Sequence, residues 1–333
     1  MNSFGVVFKV SLFGESHGDS IGVVIDGCPP GIHIGPDDFM ADLSRRQSGS
    51  KGTTNRRETD KPEILSGVYN GTTTGSPLTL ITRNSDKISS DYDDFKSVPR
   101  PGHADYVAGI KYSGFADLRG SGHFSGRITW GLVAAGVIAK LIIRPSEISA
   151  KLISAGGMTN IDQALEKAIA EGDSIGGIIE CRIAHPQKAL GEPFFYSVES
   201  AVSHIVFSIP AIKGIEFGSG FSAASMKGSV HNDPFIDSTG RTSTNNSGGI
   251  NGGISNGNEI LFRAAVKPTS STGVAQQTFN FSKGQMTELG VKGRHDTCIA
   301  LRMPVIIEAA AAIAMADLLM IDRGINSSRK FQL

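Results

Sequence analysis

The sequence predicts a single-domain α+β sandwich over residues 1–333, in which buried helices form a layer flanked by strand hairpins. Two helical segments and two strand pairs carry that prediction. Residues 128–142, centred on Trp130-Gly131-Leu132-Val133-Ala134-Ala135-Gly136, and residues 303–321, with Ala309 to Ala312 in the middle, are apolar on almost every face. A helix without a polar face belongs inside a protein, and its small residues let neighbouring helices come close. Residues 4–13 with 21–25, and 63–68 with 78–82, read as strand pairs bounded by glycine- and proline-containing turns.

The elements follow in order. The chain opens on a strand, passes through Gly14-Glu15-Ser16-His17-Gly18, and leaves the second strand at the turn Asp26-Gly27-Cys28-Pro29-Pro30-Gly31. Pro36-Asp37-Asp38 starts a short helix to Arg46, because proline and acids suit a helix N-terminus. The polar stretch 48–54 reads as a loop, and Arg45, Arg46, Lys51, Arg56 and Arg57 gather around it. An acidic connector at 91–96 leads to Arg100-Pro101-Gly102-His103-Ala104-Asp105-Tyr106. Beyond the first buried helix, residues 161–170 form an amphipathic helix, 176–183 a strand, 198–207 a helix and 259–266 a strand. Residues 238–258 are so rich in Ser, Thr, Asn and Gly that composition describes a linker as readily as a folded loop.

Lysine plus arginine and aspartate plus glutamate number 32 each, so no global positive field recruits nucleic acid or an anionic membrane. Any positive potential is local. Cys28, Cys181 and Cys298 are widely spaced and odd in number, which fits a reducing, cytoplasmic compartment and provides no CxxC spacing. Lys140, Glu308 and Asp317 interrupt the apolar segments before they reach a membrane span, and the first residues read as a strand instead of a targeting leader.

Chemistry concentrates in three blocks: Gly14 to Gly18, Arg100 to Tyr106, and Lys292-Gly293-Arg294-His295-Asp296-Thr297-Cys298. Each joins glycine, histidine and an acid, and two add arginine. Histidine titrates near neutral pH, arginine grips phosphate or carboxylate bidentately, and glycine lets backbone amides approach a ligand. The set suits an anionic substrate and a proton transfer. Gly14 to Gly18 also matches the G-x-S-x-G pattern of serine hydrolases, but so do three other stretches, and a strand instead of a helix follows Ser16. No HExxH or clustered carboxylate spacing points to a metal site. Lys267-Pro268-Thr269-Ser270-Ser271-Thr272-Gly273 reads either as a phosphate cradle or as a turn, and no dinucleotide fingerprint occurs.

The chain resembles the chorismate synthase family. The resemblance rests on Phe13-Gly14-Glu15-Ser16-His17-Gly18, Asp42-Leu43-Ser44-Arg45-Arg46, Arg100 to Tyr106, Val133-Ala134-Ala135-Gly136, Glu171-Gly172-Asp173-Ser174-Ile175-Gly176, Ser247-Gly248-Gly249-Ile250 and Lys292 to Asp296, in the family's order. Residues 144–161 match least. Two departures stand out: Gly120-Ser121-Gly122-His123-Phe124-Ser125 replaces the family's Gly-Gly-Gly-Arg-Ser-Ser, and Pro210-Ala211 stands where many members have Asn-Ala.

The resemblance implies central helices between antiparallel sheets, and a 1,4-anti elimination of phosphate from 5-enolpyruvylshikimate 3-phosphate that needs reduced FMN without net oxidation. It implies His17 as general acid for the departing phosphate, His103 beside the flavin, Asp296 as base, and Ser16 and Ser125 as proton relays. For the flavin it points to His123, Phe124, Ser125, Ala211, Gly252, Lys267, Pro268, Thr269, Ser270, Ser271 and Arg294. For the substrate it points to Arg45, Arg46, Lys51, Arg127 and Arg294. It further implies a homotetramer supplied by an external flavin reductase, with NADP-linked intrinsic reduction as the alternative. The altered positions 123 and 124 motivate a second reading, a noncatalytic flavin- or phosphometabolite-binding homologue.

Overall fold

The computed structural model describes residues 1–54, 58–85, 95–291 and 295–326. Arg56, Arg57, most of the acidic connector at 91–96, and Lys292-Gly293-Arg294 lie outside the described residues.

Gly5 sets how the chain begins. Its φ of 99° lies in the region glycine occupies without strain, and the chain turns there so that Ser3–Phe4 folds back antiparallel on Lys9–Gly14. The strand expected over residues 4–13 is therefore two strands. The amides exposed by the turn need acceptors, and Asp317 supplies them: Val6, Val7 and Phe8 donate to its carboxylate at 2.7 to 3.0 Å. Lys9–Gly14 continues into Ser20–Asp26, and the five-stranded antiparallel sheet is completed by Leu78–Arg83 and then Glu63–Ser66. The expected partnership of residues 63–68 with 78–82 holds, with a small hairpin, Val68–Tyr69 and Thr72–Thr73, inserted in the connection.

A second antiparallel sheet runs Ile212–Phe217, Ile260–Val266, Gly177–Ala184, Glu147–Ala155. Between the sheets lie the two buried helices. Thr129–Ile142 rests on the first sheet, Met303–Ile325 on the second, and the two pack against each other. Their approach is close enough that a Cβ added to Gly136 would sit 2.4 Å from the Ala309 Cβ. The α+β sandwich with alanine-rich central helices is thus the observed architecture.

Met303–Ile325 has the length and apolarity of a membrane span, yet most of it is enclosed by the fold. Two of its three acids make long-range contacts there. Asp317 caps the N-terminal turn, and Glu308 accepts from Arg45, Lys140 and the Ala150 amide. Residues 238–258 are a folded loop and not a linker. Ile250–Asn251 pairs with Ile254–Ser255, and Asp233 accepts from the Thr244 hydroxyl and the Asn246 and Ser247 amides at 2.7, 2.7 and 2.9 Å.

Candidate active site

Segments far apart in sequence wall a cavity of about 1340 Å³: residues 1–4, the turn after Lys9–Gly14, residues 46–49 with Thr54, Glu58 and Asp60, the stretches 100–104 and 120–129, residues 204–213, the loop 267–271, and residues 295–302. His17, Arg46, His103, His123, Phe124, Ser125, Arg127, Ala211, the whole of Lys267 to Ser271, and Asp296 all line it.

His17 is nearly enclosed, 6% exposed, on the tight connection between two paired strands. The ring lies against Gly120, where a Cβ would come within 2.3 Å of the imidazole and 2.9 Å of the Ser16 hydroxyl. Only glycine leaves room for it, and Gly120 also holds a φ of 58°. Ser16 is fully buried and is followed by the strand Ser20–Asp26, so this turn lacks the exposed serine and following helix of a nucleophile elbow.

The cationic floor is built from Arg46 and Arg127, 5% and 6% exposed, which share the carboxylate of Asp60. Asp60 keeps a left-handed backbone, φ 53°, while its carbonyl accepts from Trp130 Nε1 at 3.0 Å. Glu58 faces Arg127 from 4.0 Å as a second carboxylate, so two guanidiniums and two acids meet on this wall of a chain with no net charge. Burial lowers the Arg127 pKa, Asp60 opposes that effect and Arg46 adds to it, and guanidinium remains charged throughout the range in which a protein works. Arg127 Nε also donates to Asn84 at 3.0 Å, and Asn84 donates to the carbonyls of Glu15 and Gly18 at 3.0 and 2.9 Å. One amide thus fixes the arginine relative to the His17 turn.

On another wall, Asp105 is enclosed and accepts from Arg100 through Nε and Nη2, both at 2.8 Å, and from His103 Nδ1 at 2.7 Å. Burial alone would raise the Asp105 pKa, but the hydrogen bonds and charges of Arg100 and His103 win and hold it well below the usual carboxylate range. Arg100 also reaches the hydroxyls of Ser271 and Ser121, each at 3.2 Å, tying the second histidine block to two other walls. Asp296 is gripped from both sides: the Thr54 amide donates to one oxygen at 2.8 Å and Arg302 to the other at 2.9 Å.

Lys267 Nζ donates to the Gly102 carbonyl at 2.6 Å and to Ser270 at 2.8 Å, and burial lowers its pKa with Lys213 adding to the shift. Thr269 Oγ1 is buried with no hydrogen-bond partner among the described residues. Ala211, on the same cavity, holds a φ of 75°, a conformation that costs an L-residue on the order of 1 kcal/mol or more.

Three expected site residues lie elsewhere. Arg45 turns to the far side of its helix, where its guanidinium meets Glu308 at 2.7 and 2.8 Å, so it belongs to the helix-packing layer. Lys51 pairs with Glu166 at 2.8 Å on the surface. Gly252 sits in the tip of the Ile250–Ser255 hairpin and does not line the cavity. Arg294 lies outside the described residues. Ser125 caps the turn Gly126–Ile128 through its hydroxyl, which accepts from the Arg127 amide at 3.2 Å. Sequence reasoning missed Asp60, Asn84, Asp105 and Arg302 as site residues. Only Asp105 had a visible signal, two positions after a histidine in a glycine-containing block.

A cavity that joins paired arginines, two oriented histidines and a fixed carboxylate inside an α+β sandwich defines an enzyme for a small anionic molecule, equipped for proton transfer. The family model described as chorismate synthase matches residues 8–320. A chorismate synthase of Chitinophaga pinensis is 56% identical over 333 residues, 100% of both chains, and one of Dehalococcoides mccartyi is 44% identical over 349 aligned positions, 95% of this chain and 96% of its own. A crystal structure of chorismate synthase superposes with a TM-score of 0.74 at 26% identity, covering 96% of this chain and 94% of that one. The chain belongs to the chorismate synthase family, and so to the carbon-oxygen lyases.

Proposed function

We propose that the cavity converts 5-enolpyruvylshikimate 3-phosphate to chorismate by 1,4-anti elimination of phosphate, with reduced FMN held beside the substrate. The observation that carries this reading is the convergence of Arg46, Arg127, His17 and Asp296 in one cavity. Its volume, about 1340 Å³, exceeds the roughly 300–1,000 Å³ that encloses one small molecule, so substrate and cofactor fit together.

Arg46 and Arg127 bind the substrate's phosphate and carboxylates by charge-assisted hydrogen bonds. His17 donates a proton to the departing phosphate, and the phosphate dianion itself favours the imidazolium that does so. Asp296, its oxygens held by Arg302 and Thr54, takes the ring hydrogen as a proton. The electrons of a ring carbon-hydrogen bond form a new double bond, the existing ring double bond shifts by one position, and the carbon-oxygen bond breaks on the opposite face with its electron pair leaving on phosphate. His103, which Asp105 orients, would hold a proton beside bound FMN, a role that rests on the family resemblance. The relay roles of Ser16 and Ser125 rest on the family resemblance.

The loop Lys267 to Ser271 fits FMN: it offers an ammonium, hydroxyls and a buried Thr269 oxygen that still lacks a hydrogen-bond partner among the described residues. Bound there, reduced FMN would supply the transient electron transfer that no side chain in the cavity can. Cytoplasmic location, a homotetrameric state and an external flavin reductase complete the proposal and rest on the family resemblance. Replacing His17 or Asp296 by alanine is expected to lower turnover roughly 10²- to 10⁴-fold while FMN still binds. Near-normal turnover in both variants would contradict the assignment.

A further inference from the structure

Three contacts hold the His17 turn against the loop Arg119–Phe124. The Ser16 amide donates to the Gly122 carbonyl at 3.1 Å. Gly120 lies under the His17 ring, where a Cβ would come within 2.4 Å of Nε2. The third contact is His123, whose Nδ1 lies 2.8 Å from the Gly14 carbonyl oxygen. A carbonyl oxygen only accepts, so Nδ1 carries the proton and His123 is the donor. Its other ring nitrogen, Nε2, is 3.2 Å from the side-chain amide of Asn2, which can present either its oxygen or its NH₂ group. Both ring nitrogens of His123 are engaged by the protein.

The loop needs such anchors. Gly120, Ser121 and Gly122 hold φ values of 58°, 69° and 53° in succession, and for Ser121 that conformation is strained. A run of left-handed residues forms no regular hydrogen-bond ladder of its own, so contacts from outside define its shape. Gly14, in turn, is the last residue of its strand and has a φ of 96°, which starts the turn that swings His17 into the cavity.

We propose that His123 is a positioning residue for His17: its Nδ1–H fixes the Gly14 carbonyl, and through it the tilt of the turn and of the His17 ring over the cavity. The inference rests on the reading of His17 as the proton donor. It differs from the expectation that His123 contacts the flavin, because a flavin ligand would be judged by cofactor affinity and a positioning residue by turnover.

The test compares the full-length protein with His123→Ala and His123→Asn, since the Asn amide nitrogen falls near the position of Nδ1 and keeps the donor. We measure kcat, the substrate KM and the FMN dissociation constant, together with ring ¹⁵N spectra of His17 in the ligand-free protein. The alanine variant is expected to lose roughly 10- to 100-fold in kcat, the scale of a misplaced reacting group, with KM and FMN affinity little changed. Its His17 ring resonances shift, and the asparagine variant restores both kcat and resonances. The proposal is overturned if alanine leaves kcat and the His17 resonances unchanged, if its main effect is weaker FMN binding, or if asparagine fails to rescue. The resonances report on positioning without turnover, so failure of the wild-type assay would count against the proposed reaction and not against the role of His123.

Discussion

Asp105 illustrates how a residue's job depends on what encloses it. The sequence places it in a histidine block, but only the fold puts Arg100 and His103 on its two oxygens. Because its folded pKa is depressed, its contribution to stability is complete above the ordinary carboxylate range near pH 4 and is lost as pH falls through the lower folded value. Asp105→Asn is therefore expected to cost about 3 kcal/mol or more at pH 7, by leaving Arg100 buried and underpaired. In chemical denaturation the gap from wild type should narrow steadily from pH 4 downward; a constant gap would refute the pairing as its source. Arg45 and Arg127 make the complementary case. They look alike in sequence, yet Arg45 meets Glu308 in the helical layer and Arg127 faces the cavity. Arg127→Ala should raise the substrate KM about 10- to 100-fold. Arg45→Ala should lower the melting temperature and leave KM within about twofold, a split that steady-state kinetics and thermal melts resolve. His17, His103 and Asp296, which line one cavity, stood out in the sequence because chemistry demands rare residue types together. Asp60, Asn84 and Arg302 were not, because each acts only through a partner distant in sequence.

At the scale of elements, the buried helices were legible because enclosure on all sides removes every polar face, as Thr129–Ile142 and Met303–Ile325 show. Val198–Phe207 was equally plain, its apolar residues falling on one side. Edge strands were harder. Glu147–Ala155 and Ile212–Phe217 form the outer edges of the second sheet, and their exposed faces carry Glu147, Lys151 and Lys213, which dilute the apolar pattern. The first strand was misjudged for a different reason: apolar residues run through a turn that Gly5 opens and Asp317 stabilises from the opposite end of the chain. The close packing of the central helices makes a firm prediction. Gly136→Ala gains roughly 1 kcal/mol of helix propensity but forces a Cβ to within 2.4 Å of Ala309, and overpacking of about 1–3 kcal/mol should win. A lower melting temperature is expected; an unchanged or higher one would mean that the helices separate freely.

The whole molecule carries equal numbers of acidic and basic residues, 32 each, and still concentrates paired guanidiniums on one cavity wall. Neutrality overall with guanidiniums gathered at one cavity suits an enzyme that captures a small anion. The sandwich makes this possible by bringing distant segments to one cavity, several of them braced by a neighbour: Asn84 for the His17 turn, Asp60 for the arginines, Asp105 for His103, Arg302 for Asp296. The most direct measurement is anaerobic incubation of the protein with 5-enolpyruvylshikimate 3-phosphate and chemically reduced FMN, following chorismate absorbance and free phosphate together, with oxidised FMN as control. Stoichiometric appearance of both products with reduced FMN alone is the predicted result. Tight FMN binding with neither product would contradict the proposed reaction and identify the protein as a noncatalytic flavin-binding member of its family.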